Sequence, residues 1–262
     1  MAAQTIDQVL QALDGIIGQS WQARSRIGYF AALYRSVTQA VKDGIAQGRF
    51  QNGPLMETLD VVFASRYLDA VNQFQTGGQA TASWQVAFKA ASDIAPLVLQ
   101  QLLAGINAHI NLDLGIASAE VAPGAQIQTL QTDFFQINQV LAEQVSAVEQ
   151  EMAAISPMIH LLEEIDLRTE TQIINFNIDV ARDLAWAFAQ RMAATPSVLW
   201  PVSIAAKDAE TALFGHTLVH PGPAIDLLLA PIRLPESDDI RRNIEVLAGR
   251  AVAGATATGA SA

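Results

Sequence analysis

Apolar residues return every third or fourth position through nearly the whole chain, and the strict alternation of a half-buried strand is almost nowhere present. A chain patterned this way buries its apolar surface by setting helix face against helix face. The expected class is therefore all-α: a large bundle of about eight to ten helices with one helix buried at its centre. Ile6, Val9, Leu10, Leu13 and Ile17 form the first stripe. A second runs from Ala23 to Arg49 through Ile27, Phe30, Tyr34, Val37, Val41 and Ile45, ending at Asn52, Gly53 and Pro54, where Gly suits a C-terminal cap and Pro opens the next helix, Pro54 to Phe74.

Gly77 and Gly78 then read as a loop, Ser83 to Ala91 as a short helix, and Asp93 as the N-cap of a long helix beginning near Ile94 and closed by Pro123 and Gly124. Ala125 to Ile155 carries Leu130, Phe134, Ile137, Leu141, Val145, Val148 and Met152 on one stripe. Ser156 and Pro157 introduce a short helix, and Asp166 to Ala194 reads as another long one. Thr195 and Pro196 start a further helix, which Pro201 is expected to kink or break early. From Pro221 onward, an apolar run from Ile225 to Ile232 and a charged helix from Glu236 to Leu247 are expected to wrap the bundle. Residues 1–250 read as one helical domain and 251–262, low in complexity, as a disordered tail.

Composition narrows the function classes. The 262 residues hold no cysteine, which removes disulfides, thiolate nucleophiles and thiolate metal ligands. The N-terminus lacks a basic region and places Asp7 and Asp14 where a signal peptide would be apolar, so a first helix and a cytoplasmic location are expected. With 51% apolar residues and a mean hydropathy of +0.24, a membrane span has to be considered. The richest stretch, Ile94 to Ala119, is interrupted by Pro96, Gln100, Gln101, Asn107, His109, Asn111 and Asp113, far short of the roughly 18 unbroken apolar residues of a crossing helix. Fifteen basic against 26 acidic residues give a net charge of −11, which repels phosphate backbones and anionic lipid. Neither nucleic acid nor membrane is an expected partner; a small-molecule ligand is, and a homo-oligomer stays open.

The most informative stretch is Leu102 to Glu120. At 100° per residue His109, Asp113, Leu102, Ile116 and Glu120 share one face, whereas Gln100, Asn107, Asn111 and Ser118 gather on the opposite side as a wet or interhelical stripe. The two polar sets cannot serve one site. An imidazole and a carboxylate one turn apart on a buried face support three readings. They can ligate a divalent metal ion, with His109 and Asp113 as metal residues. They can form a carboxylate-oriented acid–base pair. Or Asp113 can simply satisfy a core histidine, because an unpaired buried polar group costs roughly 1 to 3 kcal/mol.

Glu57, Asp60 and Tyr67 fall on one face of the third helix, flanked by Arg66 and Asp69, so Glu57 or Asp60 could complete a site begun by His109 and Asp113 across the bundle; a salt-bridged surface face is the alternative. Asp133 and Asn138, and Asn175, Asp179, Arg182 and Trp186, repeat the theme, with Arg182 as the natural partner of a buried carboxylate. His216 and His220 form a second pair four apart, but without the Glu of a zinc-protease motif, and Pro221, Gly222 and Pro223 place them in a terminal turn. His160 reads as packed. Phosphate-binding glycine loops, a nucleophile elbow and a calcium loop are absent.

The stretches Arg26 to Thr38, Met56 to Asp60 with Arg66 to Asp69, and Asn107 to Asp113 resemble a bacterial family catalogued as domain of unknown function 5995. The likeness covers Ala23 to Ala194, rests mainly on Asn107 to Asn111, and brings no activity with it. It implies that His109, Asn107, Asn111, Asp113, Glu57, Asp60 and Arg66 sit in the family's motifs, with His216 and His220 outside them. The leading expectation is a small-molecule enzyme with an intrabundle pocket, catalytic residues His109, Asp113, Glu57, Asp60 and Arg66, and a divalent metal as an open cofactor. The alternative is a non-catalytic binding or interaction protein in which the same network is structural. A third is a cofactor-free cyclase or lyase with a cavity lined by Trp84, Phe88, Phe134 and Trp186.

Overall fold

A computed structural model describes residues 3–164 and 176–249, and among them every regular element is helical. Helix α1 (Ile6–Ala23) is capped by the Thr5 hydroxyl, which accepts from the Gln8 amide, and ends where Arg24 takes a left-handed conformation (φ 51°) that turns the chain into α2 (Ile27–Ala46). The second helix accordingly starts later than Ala23. Helix α3 (Gly53–Gln75) has the expected Asn52 cap with Pro54 in its first turn, and α4 (Ala82–Ser92) follows the glycine loop.

The next helix does not begin at Asp93. Its carboxylate instead accepts from the Ala95 amide in a local turn, and α5 (Val98–Asn107) starts after Pro96. Pro96 disfavours helical backbone at the residue before it, which delays the start. From α5 the rod continues through a π-helical segment (Ala108–Leu114) into α6 (Gly115–Val121). This composite rod is the centre of the molecule. It packs on α2, α3 and α4, on α9 (Ile178–Ala194) and on α10 (Trp200–Val219). Its side chains are buried on all sides, including Leu102, Ala108, Leu112, Ile116 and Ala117.

Glycines set how closely neighbours approach this rod. A Cβ on Gly105 would stand 2.6 Å from the Phe30 ring, and one on Gly115 would stand 2.7 Å from Phe188 and 2.9 Å from the Ala185 carbonyl oxygen. Backbone cannot step aside as a side chain can. Gly115→Ala is expected to cost about 1 to 3 kcal/mol in chemical denaturation, the usual penalty for forcing an extra carbon into a full interface; an unchanged midpoint would show that α9 can slide.

Helix α7 (Ile127–Ile155) follows a 3₁₀ turn at Gly124–Gln126. Its stripe is buried at Leu130, Phe134 and Ile137 but not throughout, since Val145 is 50% exposed. After α8 (Leu161–Glu164), the long helix expected from Asp166 does not run unbroken to Ala194. Phe176 and Asn177 are non-helical, and the Asn177 side chain caps α9 by accepting from the Asp179 and Val180 amides. The rest of that expected helix, with Asn175, lies outside the described residues, as do residues 251–262. Pro201 neither kinks nor breaks a helix. It sits in the first turn of α10, where its missing N–H costs nothing. Helices α11 (Pro223–Arg233) and α12 (Ile240–Leu247) are the last described elements, with Ile244 and Leu247 buried against α1, α2 and α7. His160 is exposed rather than packed, and so are His216 and His220 at the end of α10.

Candidate functional site

The site grows from the π segment. Turns closed five residues apart widen the rod locally, a distortion that recurs at functional sites. On one side Asn107 donates to the Thr211 carbonyl (2.9 Å) and accepts from the Asn111 amide (2.9 Å), while Gln100 donates to the Leu218 carbonyl (2.9 Å), one of the unpaired carbonyls ending α10. Gly215 makes room, since a Cβ there would stand 2.9 Å from the Asn107 amide nitrogen. The polar stripe foreseen opposite His109 is thus an interhelical seam.

On the other side His109 and Asp113 are both buried, 3% and 1% exposed. Asp113 is a junction of helices: one oxygen accepts from Arg66 Nε on α3 (2.9 Å) and the other from Trp84 Nε1 on α4 (2.7 Å). Arg66 also lies 3.6 Å from Glu120, so the guanidinium links two carboxylates of the central rod. His109 Nδ1 stands 3.6 Å from Asp113 Oδ2, a close approach but too long for a hydrogen bond. Neither ring nitrogen has a hydrogen-bond partner among the described residues.

An aromatic enclosure holds that ring in place. Phe63 stacks on it at 3.6 Å between centroids and 8° between planes, and Tyr34 meets it edge-on at 4.4 Å, with Phe30 and Trp84 further out. Burial pushes the His109 pKa below its ordinary value, the Arg66 charge adds to this, and Asp113 opposes it. The ring is therefore neutral at neutral pH, one nitrogen a donor and the other an acceptor.

Asp60 is the second unusual group. It is 7% exposed, its Oδ2 lacks a partner among the described residues, and burial, reinforced by the neighbouring Glu57 charge, raises its pKa to about 7. Glu57 itself is half-buried, 3.5 Å from the Ile6 amide, which it accepts from, and does not line the cavity that Asp60 lines. The Tyr34 and Tyr67 hydroxyls are buried without partners, and burial raises both phenols, Tyr34 further through the Asp60 charge.

These groups meet a cavity of about 540 Å³ whose walls are mostly Phe, Leu, Ile, Met and Val side chains of α2, α3, the π segment, α7 and the start of α9. His109, Asp60 and Tyr34 lie in its wall, and so does Arg182. A volume of this size, apolar with a few polar groups, suits a small organic molecule. Arg182 is 4% exposed and, contrary to the expectation from sequence, does not pair with a carboxylate among the described residues. Among the described residues its Nε donates to Asn138 Oδ1, its Nη2 to the Phe134 carbonyl, and its guanidinium lies over the Phe134 ring at 4.7 Å. Asp133, by contrast, caps the start of α3 through the Gln51 and Asn52 amides (2.7 Å each) and has a purely architectural place.

The residues present do not fit a cation at His109 and Asp113. Both Asp113 oxygens face N–H donors, one of them a guanidinium that would repel a metal ion, and the described residues contain no group of three or more His, Cys, Asp or Glu arranged to hold one. Trp84, read as a cavity-lining aromatic, is instead the Asp113 donor, and Phe88 and Trp186 do not line the cavity. Sequence reasoning missed Tyr34 and Phe63 as walls of the His109 enclosure. The only signal was their apolar helical spacing, which they share with every core residue.

Among the described residues no helix is long and apolar enough to cross a membrane. Comparison with curated proteins and with solved structures finds no match. A family model described as a family of unknown function, DUF5995, matches residues 6–221, reaching past Ala23 and Ala194 at both ends to include α1, His216 and His220. All of the cavity-lining polar residues named above fall within that span, and the chain belongs to this family of unknown function.

Proposed function

We propose that the protein binds a small, largely apolar molecule in the α2/α3/α7/α9 cavity and performs proton transfer on it with His109 and Asp60. The observation that carries this reading is that both His109 nitrogens and Asp60 Oδ2 are buried in the wall of that cavity without partners among the described residues. Unpaired buried polar groups are costly, and a ligand that supplies their partners gives them a reason to stay. With Nδ1 turned toward Asp113, Nε2 is left as the base. Asp60, with a pKa of about 7, holds a proton in part of the population at neutral pH and can deliver it. The aromatic walls hold the imidazole in position. Asp113 and Arg66 act at one remove, fixing the rod that carries His109 relative to α3 and α4.

The test has two parts. The neutral fluorophore N-phenyl-1-naphthylamine should bind saturably, and Ile110→Trp, which fills the cavity from its wall, should abolish that binding while leaving the helical circular dichroism intact. Absence of saturable binding to the parent protein removes the proposal. The acid–base half is checked by His109→Phe, which keeps a flat ring against Phe63 but no nitrogen. Its melting temperature should equal or exceed the parent's, because nothing satisfied is lost. A fall of several degrees would assign the imidazole to architecture.

A further inference from the structure

Arg182 is a buried cation without an ion-pair partner among the described residues. Its two neutral acceptors, Asn138 Oδ1 and the Phe134 carbonyl, fix the guanidinium plane but do not balance its charge. Asp179 and Asp183, one turn or less away on α9 itself, favour its charge only from a distance, and neither comes within ion-pair distance of Arg182 among the described residues. Nη1 has no acceptor there either. Keeping such a charge out of water without a counterion costs several kcal/mol, whereas an apolar side chain of the same length would cost nothing. A cation retained in the wall of an apolar cavity is positioned to receive a negative charge from whatever the cavity holds.

The anion chemistry follows from what surrounds Arg182. Two donor positions are already used, leaving one edge of the fork, which matches a single carboxylate. A phosphate dianion would need more positive charge than this one residue supplies, and would face Asp179, Asp60 and Glu149 in the same wall. Most of the cavity wall is hydrocarbon and aromatic, Met56, Leu59, Leu114, Phe134 and Ile137 among it.

We infer that the ligand of this cavity is an apolar monocarboxylic acid, its carboxylate anchored on Arg182 and its hydrocarbon body extending toward His109 and Asp60. The inference rests on the proposed cavity reading and adds the substrate class. Acid–base chemistry would then fall on the end of the molecule remote from the carboxylate, so Arg182 is a binding and positioning residue rather than a catalytic one.

Decanoate and decanol, alike in chain and different in head group, separate the two claims. Titrated at pH 8 into the full-length protein and followed by displacement of N-phenyl-1-naphthylamine, decanoate should bind at least tenfold more tightly than decanol. Arg182→Met should erase that preference, so that decanoate no longer binds more tightly than decanol to the same variant, and Arg182→Lys should keep part of it, since the charge persists without the fork. Equal affinities of decanoate and decanol for the parent protein overturn the anchor while leaving the cavity reading intact. Failure of both compounds to displace the probe, or of the probe to bind, overturns the cavity reading itself. If Arg182→Met does not fold, the head-group comparison on the parent and the lysine variant still decides. A preference that survives in Arg182→Met places the carboxylate elsewhere.

Discussion

Asp60→Asn should stabilise the protein at pH 8 and leave it almost unchanged at pH 4. Burial and the Glu57 charge lift the Asp60 carboxyl from its ordinary value near 3.8 to about 7, so the folded chain keeps a proton that the unfolded chain releases. Between those two values the unfolded state binds fewer protons than the folded one, and stability falls as pH rises through the window. Below about pH 4 both states are protonated and the group contributes no penalty; above about pH 7 the penalty is complete. A displacement of about three pH units, at roughly 1.4 kcal/mol each, sets a ceiling near 4 kcal/mol, and water entering the cavity reduces this to about 3. Asparagine carries no proton to lose and escapes the penalty. The variant should therefore melt roughly 5 to 10 °C higher than the parent at pH 8, with the gap closing as the pH is lowered. Other groups titrate in the same range, His109 in the opposite sense, so the informative quantity is the difference between the two proteins at each pH. Parallel melting curves across pH 4 to 8 would mean that Asp60 is hydrated or paired in solution.

Asp113→Leu should produce the largest loss of stability, about 3 to 5 kcal/mol, or roughly 10 °C in a thermal melt. The carboxylate is 1% exposed and holds Arg66 of α3 and Trp84 of α4 against the central rod. Removing it leaves the buried Trp84 indole N–H without an acceptor and the partly exposed Arg66 guanidinium with Glu120 alone, and these lost partners account for most of the cost. Asp113→Asn should fall between, since its oxygen serves one donor while its amide group meets the other. The contrast with His109→Phe is the point: two residues four apart in sequence should have opposite signs, because one is fully used by the fold and the other is not. A small effect for Asp113→Leu would dissolve that distinction and return the pair to a common role.

The proposed binding site accounts for the cost of keeping Asp60, His109 and Arg182. A scaffold would put apolar side chains in those positions, gain stability and lose nothing. Arg182 shows the same economy from the cationic side, its pKa lowered to about 10 by burial.

How far the sequence reached is clear from particular residues. The stripes of α1, α2 and α3 were legible because a 3.6-residue period has one interpretation over five turns, and the Asn52 cap with Pro54 behind it is local chemistry. Asp93, Pro201 and the unbroken helical run through Phe176 and Asn177 to Ala194 were misread. In each case two local signals competed: Asp93 with Pro96, Pro201 as breaker with Pro201 as first-turn residue, and a continuous apolar period with the Asn177 cap. Of the site, the inward placement of His109 and Asp113 and the separate interhelical stripe of Gln100 and Asn107 could be read from spacing along one helix.

What the sequence determined by itself is therefore the helical class and the facing of residues within each rod, since both follow from short-range geometry along the chain. Only the tertiary structure decided which groups are satisfied: that Trp84 and Arg66 occupy Asp113, and that among the described residues both His109 nitrogens and Asp60 Oδ2 are left without partners and Arg182 faces a cavity instead of a carboxylate. Hydrogen-bond satisfaction and empty volume are properties of surfaces brought together from distant parts of the chain, and no periodicity within a single helix encodes them.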